Sequence, residues 1–119
     1  MLITMLKAKI HNARVTEADL NYEGSITIDE TLMEASGILP WEKVQILNIS
    51  NGIRAETYVI KGKRDSGQII MNGAIARLAQ VGDRVIILAW VQVDEKDTKD
   101  LHPRVVLVND ANRIVEVRK

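Results

Sequence analysis

Two runs of alternating apolar residues, 44–49 and 53–60, flank the dipeptide Asn51-Gly52. An Asn-Gly pair between such runs is the strongest short-range hairpin signal, because both central residues of a type I′ turn need positive φ. A chain committed to this hairpin must bury one of its faces, and the rest of the sequence supplies more strand of the same kind. Residues 2–11 alternate, with Leu2, Thr4, Leu6, Ala8 and Ile10 on one face and Lys7, Lys9 and His11 on the other. Further short strands are predicted at 26–28, 68–71, 85–93 (after a Gly82-Asp83 turn), 105–108 and 114–117, the last two forming a second hairpin around 109–112. Helical signals are brief. Thr16-Glu17-Ala18-Asp19 reads as one capped turn, and Asp29 caps a helix over 30–36 with Leu32, Met33 and Ala35 inward and Gly37 as its stop. Pro40 forbids that helix from resuming. Asn72-Gly73-Ala74 opens a small turn or helix towards Leu78, and the charged stretch 94–100 reads as a solvated loop.

With two Trp, two Tyr and no Phe, the core has to be built from Ile, Val and Leu, which suits strands. At 119 residues there is room for one domain. Many short strands with brief helices at their corners predict a mainly β protein, a small closed barrel rather than a parallel sheet with crossover helices. Closure removes the edges that so many Val and Ile strands otherwise expose. Sixteen basic residues balance sixteen acidic ones, which argues against nucleic acid and anionic membranes as partners. No run approaches the ~20 apolar residues of a membrane span, and the first residues lack a signal-peptide pattern. Zero cysteines exclude disulfides, thiolate nucleophiles and Cys-ligated zinc, and fit a cytoplasmic protein. The two histidines, His11 and His102, fall in neither metal-ligand nor triad spacing, so no metal is expected.

Chemistry has to come from other residues. Gly24-Ser25 sits in the string Tyr22-Glu23-Gly24-Ser25-Ile26-Thr27-Ile28-Asp29. Taken alone, such a pair is a turn. Along the second hairpin strand, alternation places Arg54, Glu56, Tyr58 and Ile60 on one face and Thr57 on the other. Arg54 is either a solvated strand residue paired with Glu56 or a bidentate grip for a carboxylate. Tyr58 is either an amphipathic strand tyrosine or a proton donor, since a phenol stays protonated at neutral pH. Asn72-Gly73-Ala74 is either a plain turn or a source of backbone N–H groups for an anion. His11 shares the face of Lys9, where it lines a pocket or caps a strand end, and His102, before Pro103, is a surface residue.

Taken together, Tyr22-Glu23-Gly24-Ser25, Arg54 with Thr57-Tyr58, Asn72-Gly73-Ala74 and the Lys9/His11 pair resemble the pyruvoyl-dependent aspartate 1-decarboxylases. The resemblance runs from the first residues to about residue 108, nearly the whole chain. It implies a six-stranded double-psi β-barrel, assembled as a homotetramer with active sites between subunits. It also implies a precursor that cuts itself between Gly24 and Ser25. The Ser25 hydroxyl adds to the Gly24 carbonyl, with Thr57 as the donor to the oxyanion, and an N→O acyl shift gives an ester. β-Elimination then releases residues 1–24 and leaves 25–119 with a pyruvoyl group in place of Ser25. That covalent cofactor condenses with the amine of L-aspartate and accepts electrons as carbon dioxide leaves, giving β-alanine for pantothenate and coenzyme A synthesis.

On the same resemblance, Lys9 and Arg54 hold the substrate carboxylates, and Thr57, Asn72, Gly73 and Ala74 complete its binding. Tyr58 protonates the carbanion, Tyr22 and Glu23 shape the maturation turn, and a maturation factor is a further partner left open. Two positions depart from the family pattern: Ile75, where a smaller alanine is common, and Leu47, where some members carry tryptophan. The competing readings are a non-catalytic small barrel in which Gly24-Ser25 is a turn, and a pyruvoyl decarboxylase of another small amino acid.

Overall fold

The alternating runs form nine strands in a computed structural model that describes residues 1–119. They are β1 (Leu2–Arg14), β2 (Glu17–Asp19), β3 (Ile26–Asp29), β4 (Lys43–Asn48), β5 (Arg54–Gly62), β6 (Ile69–Asn72), β7 (Arg84–Asp94), β8 (Arg104–Val108) and β9 (Ile114–Arg118). One α-helix, α1 (Glu30–Ser36), and two short 3₁₀ helices (Gly73–Arg77 and Glu95–Asp100) sit between them. The protein is mainly β. In hydrogen-bonded order the strands run β2-β6-β3-β5-β4-β7-β1-β8-β9. The ladder does not show the expected closed six-stranded barrel: it has nine strands, and its end strands β2 and β9 do not pair. The extra members arise because the β1 segment resumes as β2 after Val15-Thr16, and because hairpin β8–β9 adds to the far side of β1.

The long strand β1 runs antiparallel to β7, with irregularities between Leu6 and Ala8 and between Ile10 and Ala13. Each bulge moves the inward face by one residue. Leu2 and Thr4, expected on one face with Ala8 and Ile10, are therefore exposed while Ala8 and Ile10 are buried, and Ala13 rather than Asn12 is buried beyond the second bulge. Asn12 takes φ 71 at the second bulge, a conformation asparagine adopts more readily than most residues.

Two local expectations fail for the same reason, a tertiary hydrogen bond that outcompetes a local one. Thr16 does not cap a helical turn. Its hydroxyl donates to the Ile69 carbonyl at 3.1 Å and accepts the Ile69 N–H at 3.0 Å, and residues 17–19 become β2, parallel to β6. The hairpin β4–β5 forms, but of the Asn51-Gly52 pair only Gly52 has positive φ (+79). The loop is wider than a type I′ turn because Asn51 is held from outside. Its amide donates to the Leu78 carbonyl at 2.9 Å and its oxygen accepts the Ile53 N–H at 3.0 Å. Residues 95–100 form an exposed 3₁₀ helix capped by Asp94 rather than a plain loop.

Helix α1 starts and stops as its sequence predicts: the Asp29 carboxylate accepts the Thr31 N–H at 2.8 Å, and Gly37 closes it at φ +80. Leu32, Met33 and Ser36 are buried, and Ala35, expected inward, is half-buried and packs against the core. Twenty-one buried apolar residues form one cluster, including Ile10, Ile26, Ile28, Ile69 and Ile87 from the strands and Leu32 from the helix.

Asp29 does more than cap. It is 1% exposed, and the same carboxylate also accepts the Asp65 N–H at 2.9 Å and the Gly67 N–H at 2.8 Å, tying the 63–67 loop to the start of α1. Hydrogen bonds to a charged acceptor contribute about 1.5–3 kcal/mol each, and a buried orphaned donor costs more than a solvated one. Asp29→Ala is expected to lower stability by roughly 3 kcal/mol, read from the urea midpoint at constant m. A loss under about 1 kcal/mol would show that the loop holds itself.

Candidate active site

The Gly24-Ser25 peptide lies where the chain leaves an exposed turn and enters a central strand. β3 is held on both sides, parallel to β5 (Ile26 opposite Val59) and antiparallel to β6 (Ile26 opposite Met71). The Ser25 carbonyl accepts the Asn72 N–H at 2.8 Å, which fixes the position one residue before the strand. Asn72 is 3% exposed, and its amide donates to the Thr27 hydroxyl at 2.9 Å, so the side chain braces β3 from the end of β6. Upstream of the same peptide bond, the Tyr58 hydroxyl donates to the Glu23 carbonyl at 3.3 Å.

Both glycines next to this peptide sit in tight space. A Cβ on Gly24 would stand 1.8 Å from Cδ1 of Ile60 and 3.3 Å from the Tyr22 ring. A Cβ on Gly73 would stand 3.1 Å from the Tyr22 carbonyl oxygen and 3.8 Å from that of Gly24, and its φ of +64 disfavours a side chain as well. The carbonyl of Gly24 therefore faces the Asn72-Gly73 turn.

Two clefts open on either side. One, of about 240 Å³, is lined by Ser25, Ala55, Glu56, Thr57, Ala74, Ile75 and Leu78. It admits a small amino acid but falls short of the ~300 Å³ where pockets for larger ligands begin. Ile75 is 7% exposed and forms part of the wall, so the larger residue at this position narrows the cleft directly. The other cleft is lined by Tyr22, Glu23, Gly24, Trp41, Tyr58 and Ile60, with Asn21 at its rim. Thr57 and Tyr58 are consecutive on β5; Thr57 lines the first cleft and Tyr58 the second, and both also border a shallow cleft with Lys43 and Glu56.

Not every residue singled out in the sequence converges here. Arg54 is exposed at the start of β5, opposite Leu47, and lines neither cleft. Lys9 and His11 lie on β1, three steps from β5 in the sheet, which is roughly 14 Å at ~4.8 Å per strand. Lys9 stands between Leu88 of β7 and Val105 of β8, and Val105 is paired in turn with Arg118 of β9. Nδ1 of His11 is buried without a hydrogen-bond partner. Burial, then the Lys9 ammonium and the Arg118 guanidinium, push the His11 pKa below its usual value, so the ring is held neutral at pH 7. His102 is exposed, as expected.

Trp41 and Ile60 belong to the site and were not singled out in the sequence. Ile60 had a signal, since it shares the alternation of Tyr58. Trp41 had only its position after Pro40, which marks a turn and says nothing of what the ring covers. Its indole stacks on Tyr58, with ring centroids 5.7 Å apart and planes 20° from parallel.

The chain as a whole is matched by known proteins. A family model described as aspartate decarboxylase matches residues 1–115. The chain is 59% identical to an aspartate 1-decarboxylase of Carboxydothermus hydrogenoformans, over all of this chain and 94% of that protein. It is 62% identical to one from Clostridium beijerinckii, over 98% of this chain and 94% of that protein. A third, from Lactiplantibacillus plantarum, is 63% identical over 98% of this chain and 89% of its own length. Identity at this level over whole chains leaves one assignment: the chain belongs to the aspartate decarboxylase family.

Proposed function

We propose that this chain is a self-processing decarboxylase that converts L-aspartate to β-alanine and carbon dioxide, using a pyruvoyl group made from Ser25. Membership of the family supports the reaction. The observation that carries the self-processing is the Gly24-Ser25 peptide, gripped on both sides, with its carbonyl turned to the Asn72-Gly73 backbone and its serine at the edge of a cleft.

Maturation starts with Ser25 Oγ adding to the Gly24 carbonyl carbon. Thr57, from the same cleft, donates to the developing oxyanion. The C–N bond breaks, the serine nitrogen takes a proton, and an ester joins Gly24 to Oγ. Loss of the Ser25 α-proton expels the Gly24 carboxylate and leaves dehydroalanine. Water then replaces its nitrogen, which departs as ammonia, and a ketone remains at position 25. The residues present fit a group of this origin, because the carbonyl of residue 25 is already anchored to Asn72 and Gly24 leaves no side chain in the way. The pyruvoyl ketone supplies an electrophile for the substrate amine and a sink for electrons released with carbon dioxide.

The remaining work falls to side chains. Tyr58 delivers a proton to the substrate carbon, and Asn72, Gly73 and Ala74 orient the substrate from the turn. Arg54 and Lys9 hold its two carboxylates, and His11 stands beside Lys9. Because Lys9 and His11 lie about three strands away from β5 in one chain, a second copy supplies them, which favours a homo-oligomer with sites between subunits; the tetramer rests on the family resemblance alone. We further read the strands as the double-psi barrel of the family. The support is chain continuity: β2 follows β1 after two residues, and Thr16 N–H bonds Ile69 O at 2.8 Å, drawing β6 towards β1. No helix is long and apolar enough to cross a membrane, and the lack of cysteine accords with a cytoplasmic enzyme.

The test is intact mass of purified protein, followed by release of carbon dioxide from labelled aspartate. Pieces 1–24 and 25–119, the larger without a free amine, are expected together with activity. Cleavage that needs cell extract indicates a maturation factor. Fully cleaved protein that leaves aspartate untouched would rule the reading out.

A further inference from the structure

Trp41 is an exposed aromatic residue in a conformation that a tryptophan avoids. It is 75% exposed, so little apolar burial offsets its presence, and its φ is +71. For a bulky side chain the left-handed region is a true outlier, and such strain tends to collect where a side chain has to be aimed. Here the aim is visible. The Trp41 N–H donates to the Val59 carbonyl at 2.7 Å and the Val59 N–H donates to the Glu42 carbonyl at 3.1 Å, which pins the turn against β5. From that anchor the left-handed turn swings the indole across the ring of Tyr58 at 5.7 Å and 20°. Both rings line the cleft that contains Gly24.

We infer that Trp41 is a positioning residue for Tyr58. The inference rests on the reading of Tyr58 as proton donor and extends it. In the precursor, the Tyr58 hydroxyl has a second tether, the Glu23 carbonyl at 3.3 Å. Cleavage after Gly24 makes Glu23 the penultimate residue of a new chain end and frees that tether. The stacked indole is then what keeps the phenol in the rotamer that points its hydroxyl at the site of the cut. Stacking restricts the ring without touching the hydroxyl, so Trp41 acts on the rate of proton delivery and leaves substrate binding alone.

The experiment combines kinetics with a signal from the ring itself. Stacking under an indole moves the ring-proton resonances of Tyr58 upfield in spectra of tyrosine-labelled protein, and Tyr22→Phe assigns them because the chain has two tyrosines. Trp41→Ala is expected to return those resonances towards free tyrosine and to lower kcat roughly three- to tenfold with KM unchanged. Trp41→Phe restores most of both. Trp41→Gly, which suits the backbone at φ +71, lowers kcat with no loss of thermal stability, an outcome that a purely structural role does not give. In a Tyr58→Phe background, Trp41→Ala has no further effect on kcat.

Unshifted Tyr58 resonances in Trp41→Ala would overturn the inference, as would a lost shift with unchanged kcat. A kcat effect of equal size in the Tyr58→Phe background would also overturn it. Should the wild-type protein leave aspartate untouched, the functional reading fails, and the ring resonances still decide whether Trp41 orients Tyr58.

Discussion

Ser25→Ala yields a folded, single chain of 119 residues that stays uncut on prolonged warming and releases no carbon dioxide from aspartate. The fold survives because what holds this position is backbone. The Ser25 carbonyl bonds the Asn72 N–H, and β3 is laddered to β5 and β6 from Ile26 onward, contacts that alanine keeps. The chemistry does not survive, since the hydroxyl is both the group that adds to the Gly24 carbonyl and the oxygen expelled with it. No neighbouring cysteine can replace it. Intact mass and thermal melting on one preparation check both halves. A product cut at residue 24, or carbon dioxide from the uncut variant, would end the proposal that Ser25 is the source of the electrophile.

Tyr58→Phe is expected to separate maturation from turnover. In the precursor the hydroxyl reaches the Glu23 carbonyl at 3.3 Å, a long bond, while the peptide is gripped independently through Asn72. Cleavage should therefore proceed at near the wild-type rate. Turnover should fall by a factor of about 10² to 10⁴, the usual worth of a positioned proton donor, with KM little changed. The ring and its stack on Trp41 are retained by phenylalanine, so lost packing does not account for the fall. A cleaved Tyr58→Phe enzyme within twofold of wild-type kcat would require another proton donor.

Local signals in the sequence are legible where distant partners add to the local hydrogen bond rather than replace it. Asp29 capping α1 and Gly37 ending it were legible because both act within a turn or two of chain. The role of Thr16 is not legible because its hydroxyl has a distant partner in Ile69, and sequence spacing says nothing about which strand lies alongside. Asn51 failed similarly, its amide being taken by Leu78. The faces of β1 were misassigned at its start because a bulge inserts a residue without any mark in the composition.

Within the site, alternation on β5 does not by itself sort the clefts, because Glu56 and Thr57 line one together and Thr57 and Tyr58 another. The grouping of Lys9 and Arg54 with Ser25 came from resemblance alone, and one chain does not bring them together. Trp41 was missed because its contribution depends on a backbone angle, and a single tryptophan after a proline does not announce one.

One consequence of strand order concerns how many molecules take part in folding. The longest strand, β1, lies wholly before the proposed cut, yet it sits between β7 and β8, both of which lie after it. Severing the chain at Gly24 thus leaves a central strand attached to its neighbours by contacts alone. Before the cut, the folding of each subunit, ahead of any assembly, is a first-order event along one chain. Afterwards, recovery from denaturation is second order, because the detached 1–24 piece has to find its slot from solution, and apparent stability then depends on concentration. The matured protein inherits a shape that it can keep far more easily than it can regain.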